Sequence, residues 1–333
     1  MNELKADIFI PTSNRLDALA ACLQSLEQQS NVNFRLIIGA LKEDFKIRSL
    51  VQQFSHLDII YFIQKSPGLI GAANEALLLA SNEIFIRIDD DTVLSPGWYE
   101  EILSVYANDK NVGGVTGPTI MSAEGLSARD LTSFLEKFKS GKSPLYSLLY
   151  WIYADFLYQG KMLKPSLLLD SGVFTLGSNY PTSRNGDSPF VVGNLEACNW
   201  SCRTILLKSN GGFDEVYMRG LGDYHEADAA LKIMHSGYNL VFNPAAWLQH
   251  NVEIGHVAKA RPAPFWRIQN FIIFYFRYFP IKTLNQLIRF TTNLMLQNAY
   301  YFFRFLTTFK FNQLGALAGT AVGLLRVLFK FRN

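Results

Sequence analysis

The sequence predicts an α/β fold built on a parallel sheet with helices on both faces. Two observations predict it. Short apolar strands alternate strictly with amphipathic helices over residues 6–109, and polar clusters sit where strands end. With 333 residues, 49% of them hydrophobic, the chain can bury one large core plus an appendage.

ADIFIPT (6–12) reads as the first strand. RLDALAACLQSLEQQ (15–29) follows as a helix, with Leu16, Leu19, Ala20, Leu23 and Leu26 at helical spacing. Strand FRLIIGAL (34–41), helix FKIRSLVQQFS (45–55), strand LDIIYFIQ (57–64) and helix IGAANEALLLAS (70–81) continue the alternation. EIFIRIDD (83–90) is the fourth strand. GWYEEILSVYAND (97–109) is the next helix, with Pro96 where its first turn begins. Ligands of parallel sheets bind beyond the carboxyl ends of the strands. Two polar clusters lie there: Pro11, Thr12, Asn14 and Arg15 after the first strand, and Asp89, Asp90 and Asp91 after the fourth.

Three adjacent carboxylates repel one another unless a cation or solvent relieves them. In an extended chain Asp89 and Asp91 point to one face and Asp90 to the other. Two same-face carboxylates can share a hard divalent cation, Mg²⁺ or Mn²⁺. A solvated turn, or a helix cap from Asp91 or Ser95, is the alternative; the buried strand before the cluster favours a site. Asp89-x-Asp91-x-Val93 also fits the nucleophile loop of haloacid-dehalogenase-type phosphatases. Here, however, three strands precede it, Leu94-Ser95-Pro96 follows, and no later Lys and paired-Asp loop appears.

Five motifs in order extend the argument: IPTSNR (10–15), PGLIGAANEAL (67–77), IDDDTVLSPGW (88–98), NGGFDE (210–215) and HEADAALKIMHSGYNLVFNPAAWLQH (225–250). Over roughly residues 5–253 they resemble inverting family 2 glycosyltransferases of the Rossmann-like GT-A fold, including rhamnosyltransferase-like members with basic tails; the resemblance implies a mixed, mostly parallel sheet. The resemblance implies a nucleoside-diphosphate sugar donor bordered by Pro11, Thr12, Asn14, Arg15, Asn74, Asp89 and Asp90. It implies a metal on Asp91, with Asp89 toward the ribose and His250 as a further ligand or phosphate contact. The family's catalytic base falls on Glu226, with Asp228 as the second candidate; Glu stands where the family has Asp. Only Asp44 or Glu43 can replace the family's base-reading acidic turn, and Ala73 replaces an Arg that would contact the diphosphate. Asn199, Trp200, Gly211, Gly212, Phe213 and Asp214 fall on the acceptor side. So does the variable segment 120–192, where Trp151, Tyr153 and Tyr158 are candidates to stack on sugar or cover lipid. A catalytically silent scaffold of the same fold is the contrasting reading.

Cys22, Cys198 and Cys202 form no disulfide framework, which suits a reducing compartment. Cys198 and Cys202 are read as structural, because no second pair of zinc ligands accompanies them. The N-terminal run MNELKADIFIPTSNR carries no leader pattern.

Charge divides the chain in two. No acidic residue follows Glu253, whereas 11 Lys and Arg do, which leaves 20 basic against 28 acidic in residues 1–253. The tail is aromatic, and Ile281, Leu284, Ile288, Met295, Ala299, Phe302, Leu306 and Phe309 share one helical face. Its longest uncharged stretch, Phe311–Leu325, falls short of the roughly 20 apolar residues of a spanning helix. Basic amphipathic helices of this kind lie on anionic membranes. Nucleic acid is disfavoured, since no binding motif is present and the apolar load is high. The expected organisation is a catalytic domain over 1–253 and an amphipathic membrane-association region over 254–333. The expected location is the cytoplasmic face of a membrane, peripheral, with a glycan or lipid-linked acceptor.

Overall fold

A computed structural model describes residues 4–13, 15–122, 126, 143–251 and 263–329. The first half follows the predicted alternation. Strands β1 (Ala6–Thr12), β2 (Arg35–Ala40), β3 (Asp58–Ile63) and β4 (Ile84–Ile88) alternate with helices α1 (Leu16–Glu27), α2 (Phe45–Gln53) and α3 (Gly68–Leu79). All four strands are parallel, in the order β3-β2-β1-β4. A short strand β5 (Thr92–Leu94) then leads into α4 (Trp98–Asn108).

The sheet continues in an order that alternation does not predict. Beyond β4 it runs β9-β6-β10-β8, with β6 (Val112–Thr116), β8 (Phe190–Val192), β9 (Asn199–Arg203) and β10 (Asn239–Phe242). Strand β9 is antiparallel to both neighbours, β4 and β6. A second sheet, β5-β11-β7, is built from β5, β7 (Thr119–Met121) and β11 (Leu248–His250).

Period-two alternation splits the core. Ile8, Ile10, Leu36, Ile38, Ile84, Ile86 and Ile88 face α1, α2 and α4. Phe9, Ile37 and Phe85 face the other way, onto α3, α6 (Thr204–Ser209), α7 (His225–His235) and α8 (Pro264–Tyr278). Cys198 belongs to the first cluster and Cys202 to the second, so the two thiols lie on opposite faces.

Helix α8 differs from expectation. The sequence places it in the amphipathic tail, yet Ile268, Phe271, Ile272, Ile273, Phe274 and Tyr275 are fully buried. Ile273 and Phe274 complete the core on the α3 and α7 face, so α8 packs as part of the sheet's own unit. Residues 252–262, which contain the expected boundary, lie outside the described residues.

The outer face of α8 carries α9 (Leu284–Thr308) and α10 (Gly315–Leu328). A capping box starts α9: Thr283 accepts from the Gln286 backbone, and the Gln286 side chain accepts in return. Helix α10 meets α8 through Gly315, Gly319 and Gly323 at four-residue spacing. A Cβ on Gly319 would lie 2.2 Å from the Phe265 carbonyl oxygen, so only glycine allows this approach. The tail face identified in the sequence points outward: Leu284, Ile288, Met295, Phe302, Leu306 and Phe309 are all exposed. Counted as a helical run, Phe311–Leu328 has 18 residues, a mean hydropathy of 1.2 and 22% burial, long and apolar enough to cross a membrane. The count over Phe311–Leu325 stops at the charge on Arg326, which the helix carries in its last turn.

The variable segment contributes α5 (Pro144–Tyr150), which continues into a π-helical turn over Trp151–Leu157. Asp170 and Ser171 tie it to the tail: Arg289 donates to Asp170 at 3.1 Å and Asn293 to the Ser171 carbonyl at 2.8 Å.

Candidate active site

The carboxyl ends of β1 and β4 hold the chemistry, and the reason begins at Ile88. There β4 stops, and Asp89–Asp91 turns back, with the Thr92 hydroxyl donating to the Asp89 carbonyl at 2.7 Å. The chain is therefore not extended through the three aspartates. Asp89 and Asp91 do not share a face opposite Asp90, as the extended reading expects. Instead, Asp90 and Asp91 both meet Arg15, and Asp89 meets Arg87.

Asp90 is fully buried, accepts from the Thr12 hydroxyl at 2.8 Å and pairs with Arg15. Burial pushes its carboxyl up to about 6, against the pull of Arg15 and Thr12. Asp91 lies 2.5 Å from the second Arg15 nitrogen. The small sheet delivers its other partner: β11 pairs with β5 so that His250 stands opposite Thr92, and the Asn251 N–H donates to the Asp91 carbonyl. His250 Nε2 is 3.3 Å from Asp91 Oδ1, and Nδ1 is 3.5 Å from Cys198 Sγ. Burial disfavours both charges. Asp91 is nevertheless held below its ordinary value by His250 and Arg15, and His250 well above its own by Cys198 and Asp91.

Arg87 links this cluster to the second candidate function. It is a charged residue at the centre of an apolar strand, with a side chain 3% exposed. One nitrogen donates to Asp89 at 2.9 Å; the other donates to Glu226 and to the Ala197 carbonyl. The second Glu226 oxygen lies 2.9 Å from His225 Nδ1, which is also 2.6 Å from the Gly222 carbonyl. Burial works against ionisation of Glu226, but His225 and Arg87 hold it at about 2.

Glu226 owes its place to Tyr224, which takes φ +80° immediately before α7. A left-handed non-glycine residue costs about 1–3 kcal/mol unless its surroundings impose it. Ring contacts to Phe174, Phe271 and Phe274 impose it here, two of them from α8.

The remaining candidates fall elsewhere. Asp228 is fully buried, with Arg277 at 2.7 Å, Tyr278 at 2.8 Å and Lys232 at 3.0 Å. Asp214 shares Arg277 and Lys232 and caps the turn at Val216. Asp44 caps α2 by accepting from the Lys46 N–H, which accounts for it without a ligand. Asn74 donates to the Phe213 carbonyl and accepts from the Phe213 N–H, both at 2.9 Å, so it pins the NGGFDE loop. Gly211 and Gly212 turn that loop with positive φ, and a Cβ on Gly212 would lie 2.8 Å from the Asn74 oxygen. Trp200 and Phe213 are core residues, as is Tyr158. Asn199 is buried, holding Trp98 at 3.0 Å and the Ala246 carbonyl at 2.9 Å. Trp151 is 52% exposed on the variable segment. Pro11 is the last but one residue of β1, opposite Gly39, and Asn14 lies outside the described residues. Arg87, His225 and Cys198 are the site residues that sequence reasoning misses. Of these, only Arg87 carries a signal, as the one charge inside IFIRI.

The site fits a divalent cation by its donors. The carboxylates of Asp89, Asp90, Asp91 and Glu226 meet two guanidinium groups and two imidazoles. Asp91 and His250 converge closely enough for one ion to draw on both.

The family model described as glycosyl transferase family 2 matches residues 7–171, which include β1, β4 and the three aspartates. Over residues 7–171 the chain is similar to glycosyl transferase family 2. That similarity sets aside the phosphatase reading of Asp89 and Asp91. No curated protein matches the chain in sequence. Among solved structures, the chain resembles a mannosyltransferase from Pyrobaculum calidifontis in complex with GDP-Man and Mn²⁺. The TM-score is 0.53 at 13% identity, covering 98% of this chain and 87% of that one. S. aureus TarS 1–349 in complex with UDP-GlcNAc matches with TM-score 0.59 and 14% identity, over 97% and 82%. GalNAc-T7 with UDP, GalNAc and Mn²⁺ matches with TM-score 0.58 and 13% identity, over 84% of this chain and 50% of that one. At these identities the likeness establishes the GT-A fold.

Proposed function

We propose that the protein is a metal-dependent, inverting glycosyltransferase. It moves a sugar from a nucleoside-diphosphate donor to a hydroxyl of a glycan or lipid-linked acceptor at an anionic membrane surface, in the assembly of cell-surface polysaccharide or glycolipid. One observation carries this reading. Arg87 holds the aspartate cluster and Glu226 side by side, a donor-side acid group and an ionised carboxylate on one guanidinium. The Mn²⁺ and nucleotide sugars bound by the structural neighbours support the donor class.

Asp91 and His250, with Asp89, would hold the cation, Mg²⁺ or Mn²⁺; bound there, it supplies Lewis-acid neutralisation of the departing diphosphate. Arg15 and Thr12 border the same end of β1 and bind the donor once Arg15 turns from the aspartates to phosphate oxygens. The acceptor oxygen attacks the anomeric carbon opposite the diphosphate, and that C–O bond breaks. Glu226 takes the acceptor proton. A carboxylate at about 2 is a weak base, yet it is ionised throughout the physiological range. The attacking oxygen becomes a far stronger acid as its new bond forms, so the weak base suffices. Asp228 is a positioning residue that ties α7 to α8 through Arg277.

Association with the membrane rests on the outward apolar face of α9 and the basic tail. The packing of the α10 glycine face on α8 supports a surface position for this helix over a bilayer crossing. The cytoplasmic face of the membrane is the proposed location.

Thermal stabilisation by a panel of nucleotide sugars, with and without Mn²⁺, tests the reading. One donor should raise the melting temperature in a metal-dependent way, and Asp91→Ala should abolish that dependence while the chain stays folded. Stabilisation by no nucleotide sugar would favour a silent scaffold.

A further inference from the structure

The geometry points to a thiophilic-cation site on this chain: Asp89, Cys198 and His250 bind Zn²⁺. Each offers one ligand atom, and these atoms lie within 4.8 Å of one another. The sulfur and nitrogen are already at coordination spacing. Tetrahedral zinc, with bonds of about 2.3 Å to sulfur and 2.0–2.1 Å to nitrogen, needs an S···N separation of about 3.5 Å. Cys198 Sγ and His250 Nδ1 are 3.5 Å apart.

The surroundings are those of a zinc site as well. A metal-bound histidine usually presents its other ring nitrogen to a carboxylate, which orients the ring. With Nδ1 turned to Cys198, His250 Nε2 meets Asp91 at 3.3 Å. Cys198 is 6% exposed among apolar neighbours, so its thiolate is shielded from solvent once the metal displaces the proton. Asp89 is 25% exposed and lies on the open side, where water completes four-coordination.

A thiolate ligand is foreign to Mg²⁺ and Mn²⁺, which prefer all-oxygen sets, and selects zinc. The zinc site shares Asp89 and His250 with the proposed donor site, so Zn²⁺ should compete with the hard cation there. Zinc binding itself does not depend on the transfer reaction.

Cobalt substitution of the full chain tests this without any turnover. Co²⁺ added to the metal-free protein should give the near-ultraviolet sulfur-to-cobalt charge-transfer band and strong tetrahedral visible bands, both lost on adding one equivalent of Zn²⁺. Cys198→Ser should remove the charge-transfer band and weaken Zn²⁺ binding at least tenfold. Asp91→Asn should keep the band and weaken affinity roughly 10–100-fold, as loss of an outer-shell partner does. The doubly substituted chain C22S/C202S, whose one remaining thiol is Cys198, must still show the band; it decides the matter even if Cys198→Ser misfolds. Absence of the band in wild type or in a folded C22S/C202S chain, or unchanged zinc affinity in a folded Cys198→Ser chain, overturns the site. Mn²⁺-dependent donor stabilisation, measured in parallel, reports separately on the transferase reading.

Discussion

Arg87 divides one guanidinium between two carboxylates, Asp89 and Glu226, and this sharing sets the behaviour of both. Glu226→Gln should lose transfer about 10²–10⁴-fold while donor affinity is kept, because an amide cannot accept the proton. Asp228→Asn should instead show its main effect in denaturant unfolding. It removes one of two anions from Arg277 and Lys232, which keep Asp214 and are partly exposed, so the cost should fall below the roughly 3–5 kcal/mol of a buried charge left alone. The pH dependence of stability follows from Glu226. It sits at about 2 in the fold against an ordinary 4.5, so its ionised form is favoured by folding. That contribution is present above about pH 4.5 and lost as the pH falls toward 2; it amounts to about 3 kcal/mol. In urea titrations the stability gap between wild type and Glu226→Gln should close over that window; a gap that persists unchanged at pH 2 would place the stabilisation elsewhere. Asp91, Arg15 and Glu226 can be placed from their motifs because strand ends and helix starts are local features. The partnership of Arg87 with Glu226 is not legible, since it spans 139 residues and depends on β4 and α7 meeting across the sheet.

Elements whose pairing is local are readable, and those whose pairing is distant are not. The predicted strand 6–12 is β1, and the predicted helix 45–55 contains α2, because period and burial agree within each segment. Strand β9 escapes notice. NWSCR is short and mixed in character, and its place between β4 and β6 is decided by two strands translated long before it. Helix α8 misleads for a related reason. Its Phe and Tyr content reads as an amphipathic tail, but two-sided packing hides it. The glycine face of α10 shows how firmly the next layer is seated. Gly319→Leu should drive a side chain into the Phe265 carbonyl and cost about 1–3 kcal/mol or more of stability, visible as a lower melting temperature. Leu317 is 53% exposed, away from that contact, so Leu317→Ala should leave the melt unchanged and serves as the control.

At the scale of the molecule, the basic tail and the domain are one body joined by α8. The full chain should float with anionic liposomes. Salt should release only part of it, because screening removes the charge term and leaves the apolar contact of α9 in place. Detergent should release the remainder. A full-length chain that ignores anionic vesicles would rule the surface out as a membrane face. Truncation at residue 262 cannot separate membrane binding from catalysis. A chain cut there lacks Ile273, Phe274 and Arg277, and with them one side of the core that seats α7.

The central position of β9 also governs the order of events during synthesis. Arg87 and Ala197 are 110 residues apart, so β4 leaves the ribosome long before the strand that will cover it. A half-sheet of β3, β2, β1 and β4 closed before then would end in the apolar run IFIRI, an edge open to pairing with another chain. A charge in the middle of such an edge discourages that pairing. Arg87 would interrupt such an edge, and in the finished sheet the same side chain holds Glu226.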